Sequence, residues 1–227
     1  MNALEISSLE FRWKITDSWY LSVKDLNINV GEKVFLYGPS GSGKTTLLDL
    51  LTGIHKQKTG SIKILGKELN TLSAKQRDQF RADHLGFIFQ QFNLLPYLSL
   101  IDNVLIPCHF SKLRYEKALE NGSIKQTAQG LLSSLSINEE LHDKLASEVS
   151  VGQQQRVAIA RSLIGRPELI IADEPTSSLD TNARDVFIKL LLSEVEHTNS
   201  TIIFVSHDTG LANFFDRSIS ISELGKG

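Results

Sequence analysis

Residues 38–46 read GPSGSGKTT, a string whose residue types suit the binding of phosphate. Glycines let backbone N–H groups approach and wrap an anion, and the start of a following helix adds the positive end of its dipole. Lys44 would bridge the two outer phosphates of a nucleoside triphosphate, and the Thr45 hydroxyl would hold Mg²⁺. A second string, LIIADEPTSSLD (169–180), ends an apolar run on two adjacent carboxylates. Asp173 at such a strand end can hold Mg²⁺ through water, and Glu174 beside it can orient or deprotonate an attacking water. Read alone, the first string could be a flexible Gly-Ser turn and the second a solvated acidic turn. Together they describe the core of a nucleotide hydrolase.

Such groups need a scaffold that brings strand ends to one edge. VFLY (34–37), LIIA (169–172) and TIIFVS (201–206) are short apolar runs bounded by polar or turn residues, as expected for strands buried on both faces of a parallel sheet. Helical patterns follow the first two, TTLLDLLTGI from Thr45 and TNARDVFIKLLLSEVEH from Thr181. This alternation predicts an α/β fold with ligands at the carboxyl ends of the strands. The first 30 residues differ. LEISSLEFRW and YLSVKDLNINV alternate polar and apolar residues as antiparallel strands with one wet face do, and GSIKILGKEL adds a strand and turn. From Ser99 to Glu148 the pattern is helical and polar, with NGS at 121–123 as a break. With no repeat and no long linker, residues 1–227 read as one domain with a helical insert at about 92–150.

Composition narrows the classes. A chain of 227 residues, 41% hydrophobic and 22% charged, can bury a core. Its formal net charge of -2 gives no general attraction to nucleic acid. Cys108 is the single cysteine, which excludes an internal disulfide framework and suits a reducing compartment. MNALEISSLEFRWK carries charges where a secretory signal needs an apolar core. No run approaches the ~20 apolar residues of a membrane span, so a membrane role requires a partner.

Trp13, GPSGSGKT, the Gln90 of GFIFQ, SVGQQQRVAIARSL, LIIADEPTSSLD and VSHD occur in this order. The sequence thereby resembles an ATP-binding-cassette (ABC) ATPase subunit from about residue 3 to 222. RADHLGFIFQQFNLLPYLSLIDNV and Ala172 are most similar to the lipoprotein-releasing and macrolide-export group, and polar amino-acid importers share much of the wording. The resemblance implies a RecA-like P-loop NTPase core with an amino-terminal antiparallel β subdomain and a helical insert subdomain. It implies ATP and Mg²⁺ as ligands, with Gly38, Pro39, Ser40, Gly41, Ser42, Gly43, Lys44, Thr45 and Thr46 around the phosphates. Thr45, Gln90 and Asp173 would face the metal, with Gln91 as the neighbouring candidate to Gln90. Glu174, His207 and Lys44 would be catalytic, His207 contacting the γ-phosphate. Trp13 would stack on adenine, with Phe11 or Trp19 as other aromatic candidates. Phe11 and Trp13 fall on one side of a strand by alternation. Asp180 would communicate across a dimer, a role compatible with capping the next helix.

In this family two subunits sandwich two ATP molecules, and Ser150, the backbone of Gly152 and Gln153 would complete the site of the opposite subunit. Val151 stands where the family pattern has glycine. A β-branched residue resists φ > 0 and adds bulk where backbones approach closely. The segment could therefore be a tolerated variant, a weakened composite site or a plain helix start.

The resemblance implies a cytoplasmic subunit, peripheral on the inner face of the membrane through a separately encoded membrane-spanning permease, as a homodimer or a heterodimer, without nucleic acid. FNLLPYLSL reads either as core of the insert or as a socket for a helix of that permease. A cassette that relays force to a membrane partner without transport is the alternative. A small-molecule P-loop kinase has no place for SVGQQQR or His207, and a DNA-repair or translation cassette would want a coiled-coil arm, a second cassette or a basic surface.

Overall fold

The computed structural model describes residues 1–14, 20–120, 122–177 and 179–224. In chain order the elements are β1 (Asn2–Phe11), β2 (Leu21–Asn29), β3 (Lys33–Tyr37), α1 (Lys44–Leu51), β4 (Thr59–Ile64), β5 (Lys67–Glu68), α2 (Ala74–His84) and β6 (Leu85–Ile88). They continue with α3 (Leu100–Phe110), α4 (Lys112–Leu119), α5 (Ile124–Ser134), α6 (Val151–Leu163), β7 (Leu169–Asp173), α7 (Thr181–His197), β8 (Thr201–Ser206), β9 (Arg217–Ser220) and α8 (Ile221–Leu224). The backbone separates into two compact units, one of Met1–Arg81 with Thr201–Gly227 and one of Ala82–Ser200.

The first unit holds an antiparallel sheet in the order β2-β1-β4-β5, where the sequence predicts alternating strands. Leu21, Val23, Leu26 and Ile28 of β2 are buried between exposed neighbours, which fixes the register because a one-residue slip would turn them to solvent. The same unit carries a parallel ladder in which β3 lies between β8 and β9. All six residues of β8 are buried, which explains its unbroken apolar run.

In the second unit β6 pairs parallel with β7, from Leu85–Leu169 to Ile88–Ala172. Helices α3, α4 and α5 fill the interval read as helical. Each begins on a serine whose hydroxyl accepts from a backbone N–H in the first turn: Ser99 from Asp102, Ser111 from Arg114 and Ser123 from Gln126. These caps satisfy donors that a helix leaves unpaired. FNLLPYLSL divides: Phe92 is buried and Tyr97 is exposed. Fully buried Asn103 secures the stretch, its amide oxygen accepting from Leu95 N–H at 2.8 Å and its amide nitrogen donating to the Leu95 carbonyl at 3.0 Å.

Glu168, just before β7, accepts from Lys117 Nζ at 2.9 Å and contacts His84 Nδ1 at 3.0 Å. Burial pushes its carboxyl up, but the bonds from His84 and Lys117 outweigh this and bring it from 4.5 down to about 2. A depressed folded-state pKa stabilises above the unfolded value and loses that contribution as pH falls through the folded one. Glu168→Gln is therefore expected to lower the unfolding midpoint at neutral pH. Its difference from the parent should shrink between pH 4.5 and about 2, as a pH series of thermal melts would report.

Candidate functional site

The residues singled out from the sequence fall into two groups, one in each unit. In the first, β3 runs into the glycine loop. The loop turns through an N–H of Ser42 on the Pro39 carbonyl at 3.2 Å. Gly41 and Gly43 take φ of 79° and 94°, a left-handed conformation that a side chain would strain. Gly43 caps α1 with no side-chain bond, and the first turn of α1 contains no acidic residue. The helix N-terminus therefore turns an uncompensated positive field toward the loop.

Lys44 opens α1 and is only 7% exposed. Its ammonium donates to the carbonyls of Gly38 at 2.7 Å and Pro39 at 3.0 Å, which keeps a buried cation against the loop. The Ser42 hydroxyl is buried without a hydrogen-bond partner among the described residues. A buried unsatisfied group is costly, and a phosphate oxygen would satisfy it. These features fit a polyphosphate. Thr45 is exposed in the first turn and Thr46 is buried. Because Tyr37 of β3 pairs with Ser206 of β8, Gly38 and His207 leave the ladder at the same edge, with His207 exposed.

Trp13 corrects one expectation. It lies beyond β1, which ends at Phe11, so strand alternation does not place it. Ring contacts do: Trp13 packs edge-on against Phe11 and His55, each at 5.1 Å, with Tyr20 at 6.3 Å. Phe11 is buried beneath it and acts as its support. Trp19 lies outside the described residues.

In the second unit, the pairing of Ile88 with Ala172 puts Gln90 and Glu174 level just past the paired strands, with Asp173 ending β7. Gln90 Nε2 donates to Ser177 Oγ at 3.2 Å, linking this glutamine to the loop that follows Glu174. Sequence reading did not single out Ser177, because a loop serine carries no signal until its neighbour across the ladder is known. Glu174 itself has φ of 44°. A left-handed non-glycine residue costs ~1–3 kcal/mol and is concentrated at functional sites. The Ser177 N–H on its carbonyl at 3.2 Å closes the turn. Asp180 caps α7 by accepting from Ala183 N–H at 3.0 Å.

The Ser150 segment bears on the question of Val151. Ser150 is the N-cap of α6, and it and Gln153 form a reciprocal capping box, with bonds of 3.3 and 2.9 Å. Val151 is the first residue of the helix and has no positive φ, so its β-branched side chain meets no backbone conflict there. A Cβ on Gly152 would meet nothing within 4 Å. What remains of the valine is its bulk, 57% exposed. The sequence pattern also hides Arg161, a charge inside the apolar run VAIARSL of α6. Its guanidinium lies on the carbonyls that follow Gln91.

A glycine loop between a parallel strand and a helix, with a buried lysine and, among the described residues, an unpaired hydroxyl within it, defines a P-loop nucleotide-binding protein. Comparison with known proteins narrows the class. The ABC transporter family model matches residues 21–177. The bacitracin export ATP-binding protein BceA of Halalkalibacterium halodurans is 40% identical over 199 residues, covering 88% of this chain and 76% of that protein. The lipoprotein-releasing system ATP-binding protein LolD of Zymomonas mobilis is 36% identical over 224 residues, covering 98% and 94%. Among solved structures, the dimeric post-hydrolysis state of the cassette MJ0796 of Methanocaldococcus jannaschii, bound to ADP and Pi, superposes with a TM-score of 0.81 at 34% identity. That match covers 96% of this chain and 93% of the other. The chain belongs to the ABC transporter family and is an ATP-binding ATPase of it.

Proposed function

We propose that this ATPase is the motor of an export-type or lipoprotein-releasing-type transporter. It works as one domain that pairs with a second cassette on ATP and drives a membrane-spanning partner from the cytoplasmic face. The observation that carries the reading is the phosphate loop, with its left-handed Gly41 and Gly43, buried Lys44 and unpaired Ser42 hydroxyl. Among the described residues no helix is long and apolar enough to cross a membrane. The relatives supporting the transport reading are a bacitracin exporter and a lipoprotein-releasing system by name.

In this reading the loop from Gly38 to Thr46, through its N–H groups other than at Pro39, which has none, and the Lys44 ammonium bind the β- and γ-phosphates, and Trp13 stacks on adenine. Mg²⁺ would add neutralisation of phosphate charge. Thr45, Gln90 and Asp173 would hold it, their oxygen atoms being the donors such a hard cation takes. Glu174 accepts the proton of the attacking water and His207 steadies the γ-phosphate. Fixed donors of this kind stabilise charge that develops in the transition state. Ser150, Gly152 and Gln153 serve the ATP of the opposite cassette, and Asp180 lies on the loop that senses it.

The test is phosphate release from Mg-ATP by the purified chain and by Lys44→Ala. ATP-dependent release that the substitution abolishes, together with ATP binding, is expected; undiminished release would sink the reading. Val151 gives a finer test. Its outward bulk would oppose close approach of a second cassette, so Val151→Gly should raise turnover in the assembled complex and leave ATP affinity of the isolated chain unchanged. Equal turnover at saturating ATP would mean the valine is accommodated.

A further inference from the structure

Arg161 sits near the carboxyl end of α6 and is 9% exposed. Its guanidinium donates to the Asn93 carbonyl at 2.6 Å and to the Phe92 carbonyl next to it. Burial draws its pKa down to about 10, which leaves it charged at neutral pH. Phe92 and Asn93 have φ of 57° and 47°. Two consecutive left-handed non-glycine residues persist only where surrounding structure holds them. They close a tight turn around Gln90 and Gln91: Phe92 N–H donates to the Phe89 carbonyl at 3.0 Å and Asn93 N–H to that of Gln91 at 2.6 Å. The Gln90 amide leaves this turn to reach Ser177. About 16 Å back along the same helix stands Ser150.

We propose that Arg161 is a positioning residue that sets the Gln90 turn and joins it rigidly to the helix that presents Ser150. One planar fork holds two adjacent carbonyls in fixed directions, where a lysine ammonium on its flexible stem would hold them less rigidly. The turn cannot shift relative to α6 without breaking charge-assisted bonds in a buried setting. A displacement of the α6 start, as when a second cassette engages Ser150, is thereby carried to Gln90. The proposal rests on Gln90 serving the metal in the reading above. It assigns a role in transmission and not in chemistry.

The test uses Arg161→Lys, with Arg161→Gln as a second variant that keeps a planar donor for one carbonyl, each checked for a cooperative melt. In nucleotide-free protein, amide hydrogen exchange at Phe92 and Asn93 should rise roughly 10-fold or more in Arg161→Lys, with β7 and the middle of α6 still protected. The Mg²⁺ concentration for half-maximal turnover should rise by roughly 10-fold, as for loss of a partner behind a metal ligand. In Gln90→Ala, which raises that requirement by itself, Arg161→Lys should add nothing. Unchanged exchange at Phe92 and Asn93, or effects of the two substitutions that simply multiply, would overturn the proposal and leave Arg161 a packing residue. If Gln90→Ala alone leaves the Mg²⁺ requirement unchanged, the metal role of Gln90 fails and the proposal with it. That single variant tells this outcome apart from the others.

Discussion

Glu174→Gln is expected to bind ATP with the affinity of the parent and to hydrolyse it ~10²–10⁴-fold more slowly, the range for loss of a general base. The substitution is close to isosteric and leaves the φ of 44° at this position to the same backbone turn. What it removes is an acceptor for the proton of the attacking water. A cassette that binds ATP and cannot use it should stay closed on its partner. With ATP and Mg²⁺ the variant should therefore elute as a dimer where the parent cycles back to monomer. Single-turnover phosphate release and size-exclusion chromatography measure the two effects. Full turnover by the variant would remove Glu174 from the role of base.

The second large effect concerns stability. Arg114 of α4 is 2% exposed, and its guanidinium donates to four backbone carbonyls: Ile164 at 2.7 Å, Ser162 at 2.9 Å, Leu85 at 3.2 Å and Arg161 at 3.3 Å. Three of these lie at or just past the end of α6, whose last carbonyls have no intrahelical donor. The fourth begins β6. Burial pulls the Arg114 pKa to about 10, with Cys108, Glu168 and Asp83 acting to hold it up, so the group stays cationic at neutral pH and complements the negative helix end. Arg114→Met would fill similar space and orphan four buried acceptors. A buried acceptor left unsatisfied typically costs ~1–3 kcal/mol, and a loss of at least that size is expected here. Urea unfolding would show it as a lowered midpoint at unchanged slope. Arg114→Lys should recover only a minor part, because a single ammonium cannot span four carbonyls. A midpoint within error of the parent would show that water or a rearranged turn replaces the guanidinium.

These two expectations differ in how far the sequence anticipates them. Glu174 follows from its place after an apolar run, since a carboxylate closing a strand within a nucleotide-binding pattern has few other readings. Arg114 in SKLRYEKALE looks like one more charge on an amphipathic helix. Nothing in its spacing says that it points inward, because the carbonyls it serves are 29 to 50 residues away. Arg161 gives a partial signal, a cation inside VAIARSL, yet its partners Phe92 and Asn93 stand 69 and 68 residues earlier. Trp13 shows the reverse error. Period-two alternation does not hold past Phe11, where the strand stops and ring contacts take over.

The sequence alone determined the features that are local in the chain. The glycine loop and the helix after it, the Asp180 cap, and the apolar runs of β3, β7 and β8 depend on neighbours a few residues apart. Their propensities, periods and capping chemistry can be read in a single pass. Tertiary structure decided the rest. It left the Ser42 hydroxyl buried without a partner, brought Gln90 to Ser177, and set Glu174 in a left-handed turn. It also gave Val151 an ordinary helical backbone and an outward-facing side chain. Hydrogen bonds between distant backbone carbonyls and side chains follow from the packing of strands and helices, and a residue's own neighbours in sequence carry no record of them.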